Sequence, residues 1–276
     1  MATGVFRAFG AGAGVARAAL TWIRRDPHSA RLDRVNFHGK TVSLAGGPAL
    51  AAGASVGAAL GAPSARAAAA AMTAGVVSGA VGLYDDVVGN RPSQKAAKGF
   101  KGHLGALREG RVTSGLVKIA GVGAAGLVAS ALVGSRRSGV RGAADVLVGA
   151  GVIAGMANLV NLLDLRPGRA IKAGAVIGVP LTAGRGGGLA AGALGASSAL
   201  VADDLGEEIM LGDAGANALG ALLGVALVAR SGPAGRIAAL AALGALTAAS
   251  EKVSFTQVIQ DTPWLRRWDE LGRRPA

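Results

Sequence analysis

Residues 146–164 read VLVGAGVIAGMANLVNLLD, an uncharged run closed by Asp164, with Asn158 and Asn161 near its end. A run of roughly 18–20 apolar residues matches the hydrocarbon thickness of a bilayer. A soluble amphipathic helix would carry a charged stripe at helical spacing, and this run has none. Asn158, Asn161 and Asp164 follow one another at i, i+3 and i+6, which sets them along one side of a helix. Polar side chains within an apolar helix need partners, so that side faces a polar cavity or another helix rather than lipid. The stretch therefore reads as a membrane helix that ends in a polar site.

Further uncharged runs extend this pattern outward: 41–65, 67–84, 119–135, 186–202 and 214–229, with shorter ones at 173–184 and 237–250. Hydrophobic residues make up 51% of the 276-residue chain and charged residues only 16%, a balance that disfavours an ordinary soluble domain. Nine spans fit, at about 2–22, 43–63, 66–84, 115–134, 143–163, 171–184, 186–202, 214–230 and 234–250, the sixth being short and containing Pro180. The expected fold class is all-α: a polytopic integral membrane helical bundle of about nine transmembrane helices. Residues 1–250 then form one transmembrane domain with catalytic cytoplasmic loops, and 251–276 a cytoplasmic amphipathic tail. In that tail Trp264, Trp268 and Leu271 recur at helical spacing beside Arg266, Arg267, Arg273 and Arg274, the pattern of a helix on a membrane surface. Small residues, such as Gly155 and Gly220 with their neighbours, are expected at close helix contacts. Arg7 and Arg17 interrupt the first run and Arg24-Arg25 follow it, so an uncleaved span is expected there rather than a signal peptide. The absence of cysteine excludes disulfides and thiolate metal sites.

With nine spans, the basic residues divide into 20 on the side of the carboxyl terminus and 7 on the other, with Arg7 and Arg17 inside the first span. The positive-inside bias makes the richer side cytoplasmic. The expected location is the plasma membrane, multi-pass, with the active face and the carboxyl terminus in the cytoplasm. A net charge of +13 raises nucleic acid as a partner, but the basic residues follow the loops and lack interleaved aromatics, which argues against it.

Three acidic motifs fall on that same side. Asp85 and Asp86 close the third span, and adjacent carboxylates repel unless a cation or a phosphate-handling proton transfer uses them. Asn158, Asn161 and Asp164 are followed by Arg166 and Arg169 in a basic turn suited to phosphate oxygens. Asp213 lies between glycines at the start of the eighth span, where free helix amides favour phosphate, although it also reads as a plain helix cap. Lys95, Lys98, Lys101 and His103 form a glycine-punctuated basic segment suited to a diphosphate or an anionic head group. The acidic stretch 203–208 reads as a solvated loop. Three scattered histidines give no metal cluster.

Taken in order, Asp85-Asp86, Asn158-x-x-Asn161-x-x-Asp164 and Gly212-Asp213-x-Gly215 give the chain, from about 40 to 250, a pattern that resembles the polyprenyl-phosphate N-acetylhexosamine-1-phosphate transferase superfamily. That group includes the phospho-MurNAc-pentapeptide translocase and the GlcNAc-1-phosphate transferases. The resemblance implies a ten-span helical fold in which a polyprenyl phosphate attacks the diphosphate of a UDP-amino sugar, releasing UMP with Mg²⁺ or Mn²⁺ in cell-envelope glycan synthesis. It implies that Asp85 and Asp86 handle the lipid phosphate, that Asn158, Asn161 and Asp164 line the nucleotide-diphosphate site, and that Asp213 binds the metal. It leaves open whether the chain pairs into a homodimer.

Several positions depart from the family pattern. Pro167 replaces a second loop carboxylate, Met210 stands where an aromatic would stack on uracil, and Ala216 replaces a serine. A histidine-rich loop gives way to residues 251–256, and no tenth span follows. A divergent member with altered nucleotide recognition is the expectation. The alternatives are a catalytically silent homologue that binds lipid carriers or scaffolds envelope synthesis, and an intramembrane prenyltransferase or cyclase. The latter would carry Asp-rich motifs at three- or four-residue spacing, which Asp85-Asp86 lacks. A transporter would place its ionisable residues near the membrane midplane rather than at one face.

Overall fold

The computed structural model describes residues 2–91, 99–135 and 137–274, and within them each of the nine expected stretches is a helix. These are α1 (Ala2–Arg25), α2 (Gly46–Leu60), α3 (Ala65–Val88), α5 (Ser114–Val133), α6 (Gly139–Leu163), α7 (Arg169–Leu181), α8 (Gly187–Leu205), α9 (Gly212–Arg230) and α10 (Pro233–Ser250). Helix α4 (Gly99–Arg108) lies between α3 and α5, and α11 (Phe255–Asp261) and α12 (Pro263–Glu270) form the tail. Five of them, α3, α5, α6, α9 and α10, are long and apolar enough to cross a membrane. The other four expected spans fall short for identifiable reasons. Helices α2 and α7 have 15 and 13 residues, α1 carries four arginines, and α8 ends in Asp203 and Asp204.

Helix α9 is the axis of the bundle. It is buried along nearly its whole length and packs against α2, α3, α5, α6, α7 and α8. Helix α10 is its opposite, with only Arg236 and Leu243 buried and Ile237 and Leu246 exposed, as suits a helix facing lipid. Few large side chains fill the space between helices, so cohesion comes from backbones that approach closely. A Cβ on Gly192 of α8 would stand 2.1 Å from the Ala58 nitrogen of α2, and one on Gly220 of α9 would stand 2.4 Å from the Met156 carbonyl of α6. Gly155 packs against Leu243 of α10. Hydroxyls begin two of the long helices: Ser64 accepts from the Ala67 amide at the start of α3, and Thr113 from Leu116 at the start of α5.

Two regions differ from the expectation of plain loops. Residues 33–43 form a hairpin, β1 (Asp33–Val35) antiparallel to β2 (Thr41–Ser43), with Arg34 opposite Val42. The hairpin is stitched to the chain before α9, since Ser43 N–H donates to the Glu208 carbonyl and Met210 N–H to the Ser43 carbonyl. The acidic stretch 203–208 is likewise ordered, and Asp204 and Glu207 are buried because each accepts hydrogen bonds from neighbouring segments.

Gly82 sets the spacing at the site end of α3, because a Cβ there would lie 2.4 Å from the Asp213 carbonyl of α9. We expect Gly82→Ala to force the two helices apart and destabilise the protein by about 1–3 kcal/mol, the usual cost of overpacking. Thermal unfolding in detergent checks this, and an unchanged midpoint would show that the contact yields freely.

Candidate functional site

Asp85 and Asp86 are neighbours on the last turn of α3 and point in different directions, so they meet different partners. Asp86 reaches the start of α9, where its two carboxylate oxygens accept the Asp213 and Ala214 N–H groups, each at 3.0 Å. The first amides of a helix lack intrahelical partners and carry its positive dipole end, so an anion there satisfies both needs. Gly212, at φ 57°, makes the approach possible, because a Cβ there would sit 2.9 Å from both Asp86 oxygens. The α9 amides that the sequence offers to phosphate are therefore already taken by Asp86. Asp213 itself is not the cap but lies in the first turn.

Asp85 turns toward α5, where Lys118 Nζ lies 2.6 Å from its Oδ2 and also pairs with Asp213 Oδ2. Ser114 also bonds to Asp85. Asn217, one turn further along α9, donates to the Asp213 carbonyl at 2.7 Å. Lys118 is the functional candidate that the motif reading passed over as one basic residue among many. Its signal was present, as a single cation one turn inside an otherwise apolar helix.

Asp164 ends α6 close by and receives a hydrogen bond from the Gly212 backbone. Burial, reinforced by the charges of Asp204, Asp213 and Asp86, pushes its carboxyl well above the ordinary range. Asp85, Asp86, Asp164 and Asp213 thus come together at one end of the bundle.

The second motif divides between two cavities. Asn158 and Asn161 line a groove of about 420 Å³ with Lys118, Asn217 and Thr247, walled on its apolar side by Ile119 and Val122. Asn158 Nδ2 donates to Thr247 Oγ1 at 3.1 Å. Asp164 and Arg166 face a different cavity of about 240 Å³, shared with Phe37 of the hairpin and Met210. Arg169 lines neither cavity. Its guanidinium is buried and donates to both Asp269 oxygens at 2.8 Å and to Thr256 at 2.9 Å, so the expected phosphate contact is replaced by a tie to the tail. Arg273 completes that knot, 2.6 Å from Asp269 and donating to the Pro167 carbonyl. Trp264 and Leu271 stay exposed beside Arg266 and Arg267. Lys95 and Lys98 lie outside the described residues. Lys101 and His103 fall within α4, with their side chains outside the described set.

Among the described residues no group of three or more His, Asp or Glu side chains is arranged to hold a metal. No family model matches the sequence, and a search of curated proteins returns no match.

The Lys118 pairings should appear as energetic coupling. In a double-mutant cycle of Lys118→Met and Asp213→Asn, we expect a coupling of about 0.5–3 kcal/mol in thermal unfolding. Additive effects would show that the two side chains stand apart. The tail knot should be pH-sensitive. Burial alone would raise Asp269, but hydrogen bonds from Arg169 and Arg273 outweigh it and hold the carboxyl below its ordinary range. A depressed folded value contributes stability above the unfolded pKa of about 3.9, and that stability is lost as pH falls through the folded value. Protease sensitivity of the tail should therefore rise below about pH 4 in the wild type. Asp269→Asn should make the tail sensitive already at neutral pH. A tail equally protected in the variant would remove the ion pairs as its anchor.

Proposed function

We propose that this chain is a membrane phosphoglycosyl transferase that moves a sugar-1-phosphate from a nucleotide sugar, a UDP-amino sugar, to a polyprenyl phosphate. The observation that carries this reading is the gathering of Asp85, Asp86, Asp164 and Asp213, from three separate motifs, around Lys118 and the start of α9. In this reading all nine apolar helices cross the plasma membrane, and the site and carboxyl terminus face the cytoplasm, where 20 of the basic residues lie. The chain is a divergent relative of the polyprenyl-phosphate sugar-1-phosphate transferases.

The two cavities suit two substrates. The groove of Lys118, Asn158 and Asn161 combines a cation and amides with an apolar wall, which suits a phosphate carried on a hydrocarbon chain. The cavity beside Asp164 and Arg166 takes the nucleotide end of the donor. Between them, an oxygen of the lipid phosphate attacks the sugar-bearing phosphorus, the bond from that phosphorus to UMP breaks, and UMP leaves. Phosphoryl transfer asks chiefly for positioning and charge neutralisation. Asn158 and Asn161 orient the acceptor phosphate, Lys118 holds Asp85 and Asp213 together beside it, and Asp86 keeps the start of α9 in place.

The carboxylates also fit a divalent cation. Oxygens of Asp85 and Asp213 converge on one position, filled by the Lys118 ammonium as a stand-in cation. Mg²⁺ commonly takes one or two carboxylates together with substrate phosphate oxygens, so a larger protein cage is unnecessary. Asp213 and Asp85 would hold Mg²⁺ or Mn²⁺, which when bound supplies neutralisation of the diphosphate charge.

One observation favours the silent homologue as a second reading. Lys118 closes Asp85 and Asp213 into an internal ion network and Asp86 acts as a cap, arrangements that stabilise a fold without any turnover. Purified protein incubated with undecaprenyl or decaprenyl phosphate, Mg²⁺ and a panel of nucleotide sugars separates the two. We expect metal-dependent release of UMP that falls about a hundredfold or more in Asp213→Asn, a size typical for removal of one charge-stabilising group. Absence of any nucleoside monophosphate release, in protein that binds the lipid, would favour the silent homologue.

A further inference from the structure

The hairpin places Phe37 in a position that its hydrophobicity alone would not choose. The ring is 48% exposed and lines the cavity beside Asp164. A web of polar contacts holds it there. Asn36 donates to Glu207 at 2.5 Å, His38 Nδ1 lies 3.0 Å from the same carboxylate, and Lys40 donates to the Gly206 carbonyl at 3.2 Å. Glu207 is the only non-glycine residue with positive φ, 54°, among the described residues, a conformation kept only where its surroundings enforce it. The loop is thus built to present Phe37 rather than to bury it.

Arg166 lies across the ring, its guanidinium carbon 4.1 Å from the ring centroid. A flat cation on a flat ring gives a surface suited to another flat group, because both guanidinium planes and aromatic rings stack on nucleobases. Size and charge narrow the ligand. At about 240 Å³ the cavity is smaller than the roughly 300–1,000 Å³ that encloses a drug-sized ligand, so it admits one end of a nucleotide sugar. Asp164, Asp204 and Glu207 line it with acceptor oxygens beside the cation Arg166, a set that matches a neutral ring with N–H donors.

We infer that Phe37 and Arg166 form the stacking platform for the pyrimidine base of the donor, replacing the aromatic absent at Met210; this rests on the transferase reading above. The base then lies beside Asp164, and the diphosphate runs past Gly212 toward Lys118. Met210 contributes the apolar side wall.

The test uses the full chain in lipid nanodiscs and measures binding of UMP and of ribose 5-phosphate, which lacks the base. We expect Phe37→Ala to weaken UMP about tenfold to a hundredfold, the usual loss of one stacking partner, and to leave ribose 5-phosphate unchanged. Phe37→Trp should retain UMP binding and report it through a change in emission that the wild type does not show. If Phe37→Ala fails to fold, Phe37→Leu serves, since it keeps an apolar side chain and removes the π face. Equal UMP binding by a folded Phe37→Leu or Phe37→Ala and by the wild type would overturn the platform. If UMP is released from a nucleotide sugar but the donor KM is unchanged in the variant, the platform fails and the transferase reading stands. If UMP binds in a Phe37-dependent way but no donor is turned over, the platform stands and the transferase reading fails.

Discussion

The carboxylate of Asp86, laid across the Asp213 and Ala214 amides in the first turn of α9, is the contact on which the site end of the bundle depends. Helix α9 is the most enclosed element, and its amino end would otherwise bring unpaired N–H groups into a poorly solvated interior, where each costs several kcal/mol by order of magnitude. Supplying the acceptor from α3 fixes where α3 stops and how it is rotated. Asp85, one residue earlier, is then turned by about 100° toward α5, where Lys118 meets it. One cap thus determines which acidic side chain is structural and which remains near the cavities.

The rest of the bundle owes little to bulky packing. Seams such as Gly192 against Ala58 and Gly220 against Met156 bring backbones together, and the gain is dispersion and surface fit rather than the burial of large apolar groups. Such seams tolerate almost no change in side-chain volume. They also leave the variable chemistry to the ends of the helices, where the hairpin, the turn 164–168 and the tail meet.

Much of this was legible in the sequence. Uncharged runs located eight of the nine helices, and the apolar stretch broken by Arg7 and Arg17 located α1, since length and lack of a charged stripe are local properties. The three acidic motifs also converge, because each sits at a helix end on one side of the bundle. What escaped reading depended on partners far along the chain. Asp86 and Asp213 look alike as exposed aspartates, and only the packing of α3 on α9 makes one of them the cap. Arg169 looks like a phosphate contact until Asp269 arrives beside it. The Asn158 motif follows one helical face, yet its last residue, at the helix end, opens into a different cavity. The hairpin gave little signal because its strands have only three residues each and its order comes from the segment before α9.

The knot of Arg169 and Asp269 also bears on how the chain is made. The two residues are 100 positions apart, so a ribosome completes α7 through α11 before the counterion of Arg169 exists. Until then the guanidinium cannot take its native place, because an uncompensated buried charge costs about 3–5 kcal/mol. The turn that carries Asp164 and Arg166 therefore settles only after α12 has been synthesised. Packing of the earlier helices thus precedes the completion of that turn, which waits for α12.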